Sequence, residues 1–186
     1  GQQTIIPTGA TVLQKGDKIY LTASARELES FFRKLNIFKA RANNIMIVGA
    51  SRIAYYLVKE LQDIQKRVTV IDSNAARCQA MSEKFPGALV IHGDGCDSKY
   101  QEDAGIRRAD VFVATTGQDD DNLVSCEIAQ RVFNVPRCIA RVNSPKNLRI
   151  FHEVGIECVS STTLIANLIE EETLLGSVSV VSSLTH

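Results

Sequence analysis

The chain has 186 residues, 45% of them hydrophobic, with 21 basic side chains balanced by 21 acidic ones. This is one domain of ordinary size, or one domain plus a fragment of another, and the zero net charge argues against a nucleic-acid or polyanion surface. No apolar run approaches the ~20 residues of a membrane helix, and the five widely spaced cysteines, with no C-x-x-C among them, read as reduced thiols rather than a disulfide framework or zinc site.

Residues 1–38 stand apart from the rest of the chain. Thr4-Ile5-Ile6-Pro7, Thr11-Val12-Leu13 and the alternating Lys18-Ile19-Tyr20-Leu21-Thr22-Ala23 read as short strands, with a turn at Lys15-Gly16-Asp17. Ser24 and Glu27 form a capping box for a helix over 25–35, whose Leu28, Phe31, Phe32 and Leu35 share one face. So small an α+β piece buries too little surface to stand alone and is expected to be the tail of a preceding domain. The polar stretch 39–44 reads as a linker.

From residue 44 onward strands alternate with helices. Strands are predicted over 44–49, 67–72, 88–92, 109–115, 137–142 and 156–159. Helices are predicted over 51–64, 74–85, 97–105, 120–134, 145–153 and 162–175. Strands such as Val111-Phe112-Val113-Ala114 are apolar without alternation, as expected when helices cover both faces. Short links between strands and helices imply right-handed crossovers and an α/β fold: a Rossmann-like, doubly wound parallel sheet, with its ligand crevice at the carboxyl ends of the strands. The last predicted helix carries an apolar stripe of Leu164, Ile165, Leu168, Ile169 and Leu175. Beyond it, 177–181 is β-like again and reads as the start of another small subdomain, so 166–186 is expected to be a crossover segment.

The strand ends hold the chemistry. Ile47-Val48-Gly49-Ala50-Ser51-Arg52-Ile53-Ala54 has the layout of a dinucleotide-binding turn. Gly49 can take the positive φ the turn needs, and the helix start favours an anion. Ser51 stands where the fingerprint wants a second glycine. Its hydroxyl either obstructs the pyrophosphate or donates to it. Arg52, a cation set against its own helix dipole, reads as a phosphate contact. Asp72 ends the second strand 23 residues after Gly49, where a carboxylate accepts ribose hydroxyls and repels a 2′-phosphate. The competing role is capping of the next helix, which Ser73 beside it could also serve. Gly93 and Asp94 close the third strand, Thr115-Thr116-Gly117 the fourth and Arg141 the fifth, each facing the crevice. The acids of Asp119-Asp120-Asp121-Asn122 suit a helix N-terminus. None of His92, His152 and His186 has a visible catalytic partner.

These residues together resemble a known family. Ile47-Val48-Gly49, Val70-Ile71-Asp72, His92-Gly93-Asp94, Asp110 to Thr116, Asp119-Asp120-Asp121-Asn122 and Ile139-Ala140-Arg141-Val142 are similar to the nucleotide-binding half of the RCK domain, found in potassium channels and in TrkA/KtrA-type uptake systems. The resemblance covers about 44–165. It implies a nucleotide-binding domain over 45–165, preceded over 1–38 by the end of a neighbouring RCK C-terminal subdomain, as in a TrkA-like tandem protein. It also implies NAD(H) or ATP/ADP as ligand and a cytoplasmic location at the inner face of the membrane. A membrane potassium-transport subunit and a second copy of the chain, through helix 162–175, are the implied partners. The candidate binding residues are then Gly49, Ser51, Arg52, Ile53, Asp72, Ser73, Gly93, Asp94, Thr115, Thr116, Asn122 and Arg141. A non-enzymatic sensor is expected; the alternative is a fragment of an NAD-dependent oxidoreductase.

Overall fold

The computed structural model describes residues 42–175, together with 9, 11, 12, 23, 24, 27, 28, 30 and 31. The expected strand 4–7, most of the expected strand 18–23, most of helix 25–35 and the β-like 177–181 lie outside the described residues; Thr11 and Val12, expected in a short strand, are described and are not in one. By internal contacts the chain separates into units of Gly1–Arg41 and Ala42–His186. In the first, the capping box forms: the Ser24 amide donates to Glu27 Oε2 at 3.1 Å, and the Glu27 amide donates to Ser24 Oγ at 3.4 Å.

The second unit is a six-stranded parallel sheet in the order β3-β2-β1-β4-β5-β6. Its strands are β1 (Asn44–Val48), β2 (Arg67–Asp72), β3 (Leu89–His92), β4 (Val111–Ala114), β5 (Cys138–Arg141) and β6 (Glu157–Val159). The helices are α1 (Arg52–Asp63), α2 (Ala75–Lys84), α3 (Ser98–Asp103), α4 (Asp119–Arg131), α5 (Leu148–Glu153) and α6 (Ser161–Leu175). This is the doubly wound order of a Rossmann fold, as expected. β1 is the pivot: it pairs with β2 on one side and β4 on the other, so the strand order reverses there and leaves a crevice beyond its carboxyl end.

Successive side chains of a strand point to opposite faces, and both faces of β1 are buried. Met46 and Val48 pack with Phe112, Ala129, Phe133 and Phe151 on one side. Ile45 and Ile47 pack with Val58, Val70, Met81 and Phe85 on the other. Each such side chain stabilises the fold by roughly 1.5–3 kcal/mol, which is why these strands are apolar without alternation.

Several elements are shorter than predicted, each for a local reason. α1 and α2 begin one residue late because Ser51 and Asn74 are N-caps, accepting from the amides of Ala54 and Arg77. β4 does not include Asp110, whose carboxylate accepts from the amides of Asn43 and Asn44 at 2.8 and 2.9 Å. Those bonds hold its carboxyl below the usual range. α3 stops at Asp103 ahead of Gly105, whose φ is +82°, and a 3₁₀ turn over Ile106–Arg108 follows. Residues 145–153 divide into a 3₁₀ turn started by Pro145 and the helix α5.

α6 differs from the other helices in what it buries. Leu164, Ile165, Leu168 and Ile169 are all exposed, at 47–61%, so its apolar stripe finds no cover among the described residues. Among the described residues no helix is long and apolar enough to cross a membrane.

Candidate nucleotide-binding cleft

The crevice at the end of β1 is a cleft of about 270 Å³. Its floor is the β1–α1 turn. Gly49 sits at φ +95°, and a Cβ there would lie 2.8 Å from the Thr116 amide nitrogen. The turn is held from both sides: the Gly49 amide donates to Ile71 O at 2.8 Å, and the buried Thr115 Oγ1 donates to Gly49 O at 2.9 Å. Ser51, at φ −78° and ψ 172°, is in extended backbone that needs no glycine. Its oxygen accepts from the Ala54 amide at 3.2 Å. The hydroxyl is thus an N-cap, and its proton is free to donate outward. Among the described residues the amides of Ser51, Arg52 and Ile53 have no acceptor and remain as open donors of the first turn.

Asp72 is 5% exposed. Its Oδ2 accepts from the Ala50 amide at 2.6 Å, and its Oδ1 from the Asn74 amide at 2.7 Å. Oδ1 also receives Arg77 Nε at 3.1 Å and Nη2 at 2.9 Å. Neither Asp72 nor Ser73 caps α2; Asn74 does. Asp72 instead fastens the turns that follow β1 and β2, and Arg77 closes over one of its oxygens.

The cleft brings together Gly49, Ser51, Asp72, Ser73, Asp94 and Thr116 of the predicted residues. Asp94 Oδ1 is engaged by the Cys96 amide at 2.8 Å. Arg52 lines a neighbouring groove instead, and Ile53 is exposed beside it at 40%. Gly93 is buried under the ring of Tyr100, which a Cβ would overlap, so its glycine serves packing. Thr115 and Asn122 are buried beneath the cleft as its scaffold. Arg141 also lies outside the cleft lining, and its carbonyl accepts from Asn122 Nδ2 at 2.9 Å.

Sequence reasoning missed Arg77, Cys96, Gln118 and Asp121, which complete the walls. The only signal for Arg77 is a guanidinium five residues after Asp72, in the first turn of the following helix. Burial, with Asp121 and Asp94 nearby, pushes the Cys96 thiol up to about 11. It is therefore protonated at neutral pH, and among the described residues no histidine lines the cleft.

Asp119 does more than complement a helix dipole. Its Oδ1 accepts from the Asn143 amide at 2.6 Å, and its Oδ2 from the Ser144 amide at 3.0 Å and Asn147 Nδ2 at 2.7 Å. Burial opposes ionisation here, but the bonds from Asn143, Asn147 and Ser144 together outweigh it and hold the carboxyl below its usual range. A depressed native pKa means that this stability is complete above the unfolded value of about 3.9 and is lost as pH falls through the native one. Asp119→Ala is expected to lower unfolding free energy by about 2 kcal/mol at pH 7. In urea titrations at several pH values the deficit should shrink below about pH 4; a deficit that stays constant to pH 2 would contradict the assignment.

Residues 45–162 match the TrkA-N domain family model. The Trk system potassium uptake protein TrkA homolog of Methanothermobacter thermautotrophicus is 40% identical over 117 residues, 63% of this chain and 53% of that protein. TrkA of Azorhizobium caulinodans is 31% identical over 150 residues, 78% of this chain and 32% of that protein. The chain thus spans about half the length of the first of these relatives and a third of the second. Among solved structures, the GsuK channel bound to NAD is similar with a TM-score of 0.62 at 19% identity, covering 77% of this chain and 27% of that one. The Kef CTD of Shewanella denitrificans in its AMP-bound form has a TM-score of 0.61 at 22% identity, covering 73% of this chain and 84% of that one. These two likenesses bear on the fold. With its doubly wound sheet and the family match over 45–162, the chain belongs to the TrkA-N domain family.

Proposed function

We propose that residues 45–165 form a nucleotide-sensing regulatory domain of a potassium uptake system or channel, without catalytic activity of its own. The observation that carries this is the cleft at the reversal of strand order, with the Asp72 carboxylate on one wall and the open donors of the β1–α1 turn on its floor. Asp72 Oδ2 has a single donor among the described residues and keeps a lone pair for a ribose hydroxyl. The amides of Ser51, Arg52 and Ile53, with the Ser51 hydroxyl, face the phosphates. Asp94 and Thr116 take the remainder of the ligand, on the scaffold of Thr115, Asn122 and Arg141. The ligand class is an adenine nucleotide, NAD(H) or ATP/ADP. Relatives described as TrkA potassium uptake proteins and the structures of GsuK with NAD and ADP support it.

In this reading residues 1–38 end a preceding subdomain and α6 leads to the next. Nucleotide binding alters the geometry of paired domains, which requires only unequal affinity for two arrangements of the pair. The partners are a membrane potassium-transport subunit and a second copy of the chain. The pairing surface is the α6 stripe, whose four exposed aliphatic side chains lie at i, i+1, i+4 and i+5. Leu168→Glu is expected to shift the sedimentation profile towards monomer. An unchanged profile would argue against this surface.

The sensing role is tested by thermal unfolding with NAD, NADH, ATP, ADP and AMP at saturating concentration. A ligand at 100 times its Kd stabilises the native state by about 2.7 kcal/mol, so at least one member of the panel must raise Tm by several degrees. A flat response across the panel would refute nucleotide binding.

A further inference from the structure

Two concave surfaces adjoin at Ser51 and Arg77, and they carry opposite charge. The cleft holds Asp72, Asp94 and Asp121 against the single guanidinium of Arg77. A neighbouring groove of about 450 Å³, formed by α1 and α2, holds Arg52 and Arg77 with Tyr55 and Tyr56, and among the described residues no carboxylate lines it. Ser51 and Arg77 line both surfaces, so the groove opens off the cleft beside the carboxylate assigned to the ribose.

Arg77 changes what that carboxylate can do. An unpaired aspartate at the end of β2 selects a 2′,3′-diol and repels a 2′-phosphate. Here Oδ1 already accepts three N–H groups, two of them from Arg77, which is more than its lone pairs hold comfortably. The ion pair offsets the negative charge at the point where repulsion would act. Two of the five guanidinium N–H groups of Arg77 face Asp72, and its side chain is 55% exposed. The remaining donors are open to a second anion, and Arg52 adds a further positive charge in the same groove. An arginine beside the ribose site is the usual means of holding a 2′-phosphate, and its fork suits that geometry.

We propose that this groove receives a phosphate carried on the ribose 2′-oxygen, so that the site accepts 2′-phosphorylated adenine nucleotides as well as unmodified ones. This rests on the nucleotide reading of the cleft. Arg77 is then a specificity-determining residue: it neutralises Asp72 and binds the 2′-phosphate with the same side chain.

The test is calorimetric titration of the whole chain with 5′-AMP and with adenosine 2′,5′-bisphosphate, which differ only in the 2′-phosphate. The wild type is expected to bind the bisphosphate at least as tightly as AMP. Arg77→Gln should weaken the bisphosphate about tenfold more than it changes AMP, the loss of one charge-assisted contact. Arg52→Gln, whose side chain makes no bond to Asp72, should weaken the bisphosphate selectively in the same sense. If the wild type binds AMP but rejects the bisphosphate by about tenfold or more, or if Arg77→Gln weakens both ligands alike, the groove's role is overturned and the nucleotide cleft stands. If neither ligand binds, the groove's role is overturned, and the nucleotide reading of the cleft is decided by the wider panel of NAD, NADH, ATP and ADP.

Discussion

Gly49→Ala is expected to lower the unfolding free energy by about 3 kcal/mol, one of the largest effects of any single methyl group added to this fold. Two costs combine. At φ +95° an L-residue is strained, by roughly 1–2 kcal/mol. The new Cβ would also lie 2.8 Å from the Thr116 amide nitrogen and 3.0 Å from the Thr115 carbonyl carbon. Those are backbone atoms at the end of β4, pinned by Thr115 Oγ1 to Gly49 O and by the Thr115 amide to Val48 O, so they cannot move aside without loosening the sheet. Gly117→Ala is the internal control. A Cβ there meets nothing within 4 Å, and the change should stay within about 0.5 kcal/mol. Urea unfolding of the two variants with equal m-values separates local strain from general disruption. Equal stability of the two would mean that the turn is not built as described.

Asn122→Ala is expected to cost about 3 kcal/mol as well. The side chain is fully buried and uses both ends of its amide. Oδ1 accepts from the Thr116 amide at 2.9 Å and from Thr116 Oγ1 at 2.8 Å, and Nδ2 donates to Arg141 O at 2.9 Å. It thereby ties the turn after β4 to the end of β5 across the mouth of the sheet. Truncation leaves the Thr116 amide and the Arg141 carbonyl without these partners, at about 1–3 kcal/mol each, offset in part by relaxation. The loss should appear in chemical unfolding and also as weaker nucleotide binding, because the Thr116 wall of the cleft loses its anchor. A variant as stable as the wild type would show that the network is not what holds this corner.

Local chemistry made much of this legible in the sequence. The apolar runs gave the strands, and Gly49, Asp72, Asp94 and Thr116 lie together on the cleft because each ends a strand of one parallel sheet. Partners distant in the chain were not legible. Asp119 reads as an ordinary dipole-compatible acid because its bonding partners lie 24–28 residues further on. Arg77 was missed because nothing in one dimension shows that α2 returns its first turn to Asp72. Gly93 looks like a place for close ligand approach, yet its neighbour is Tyr100, seven residues on and across a turn. Ser51 looks like a flaw in a glycine pattern. Its capping bond to the Ala54 amide was in principle readable from its place before the helix.

The role of Asp72 in nucleotide recognition is the point on which the functional account turns. Its most direct test is calorimetric titration of ADP into the wild type and into Asp72→Asn, with folding of both verified at the temperature of measurement. The substitution keeps the size of the side chain and removes the charge that a ribose hydroxyl would meet. The account predicts binding to the wild type and a loss of about tenfold or more in the variant, the worth of a hydrogen bond to a charged group. Equal affinity in the two proteins would contradict it.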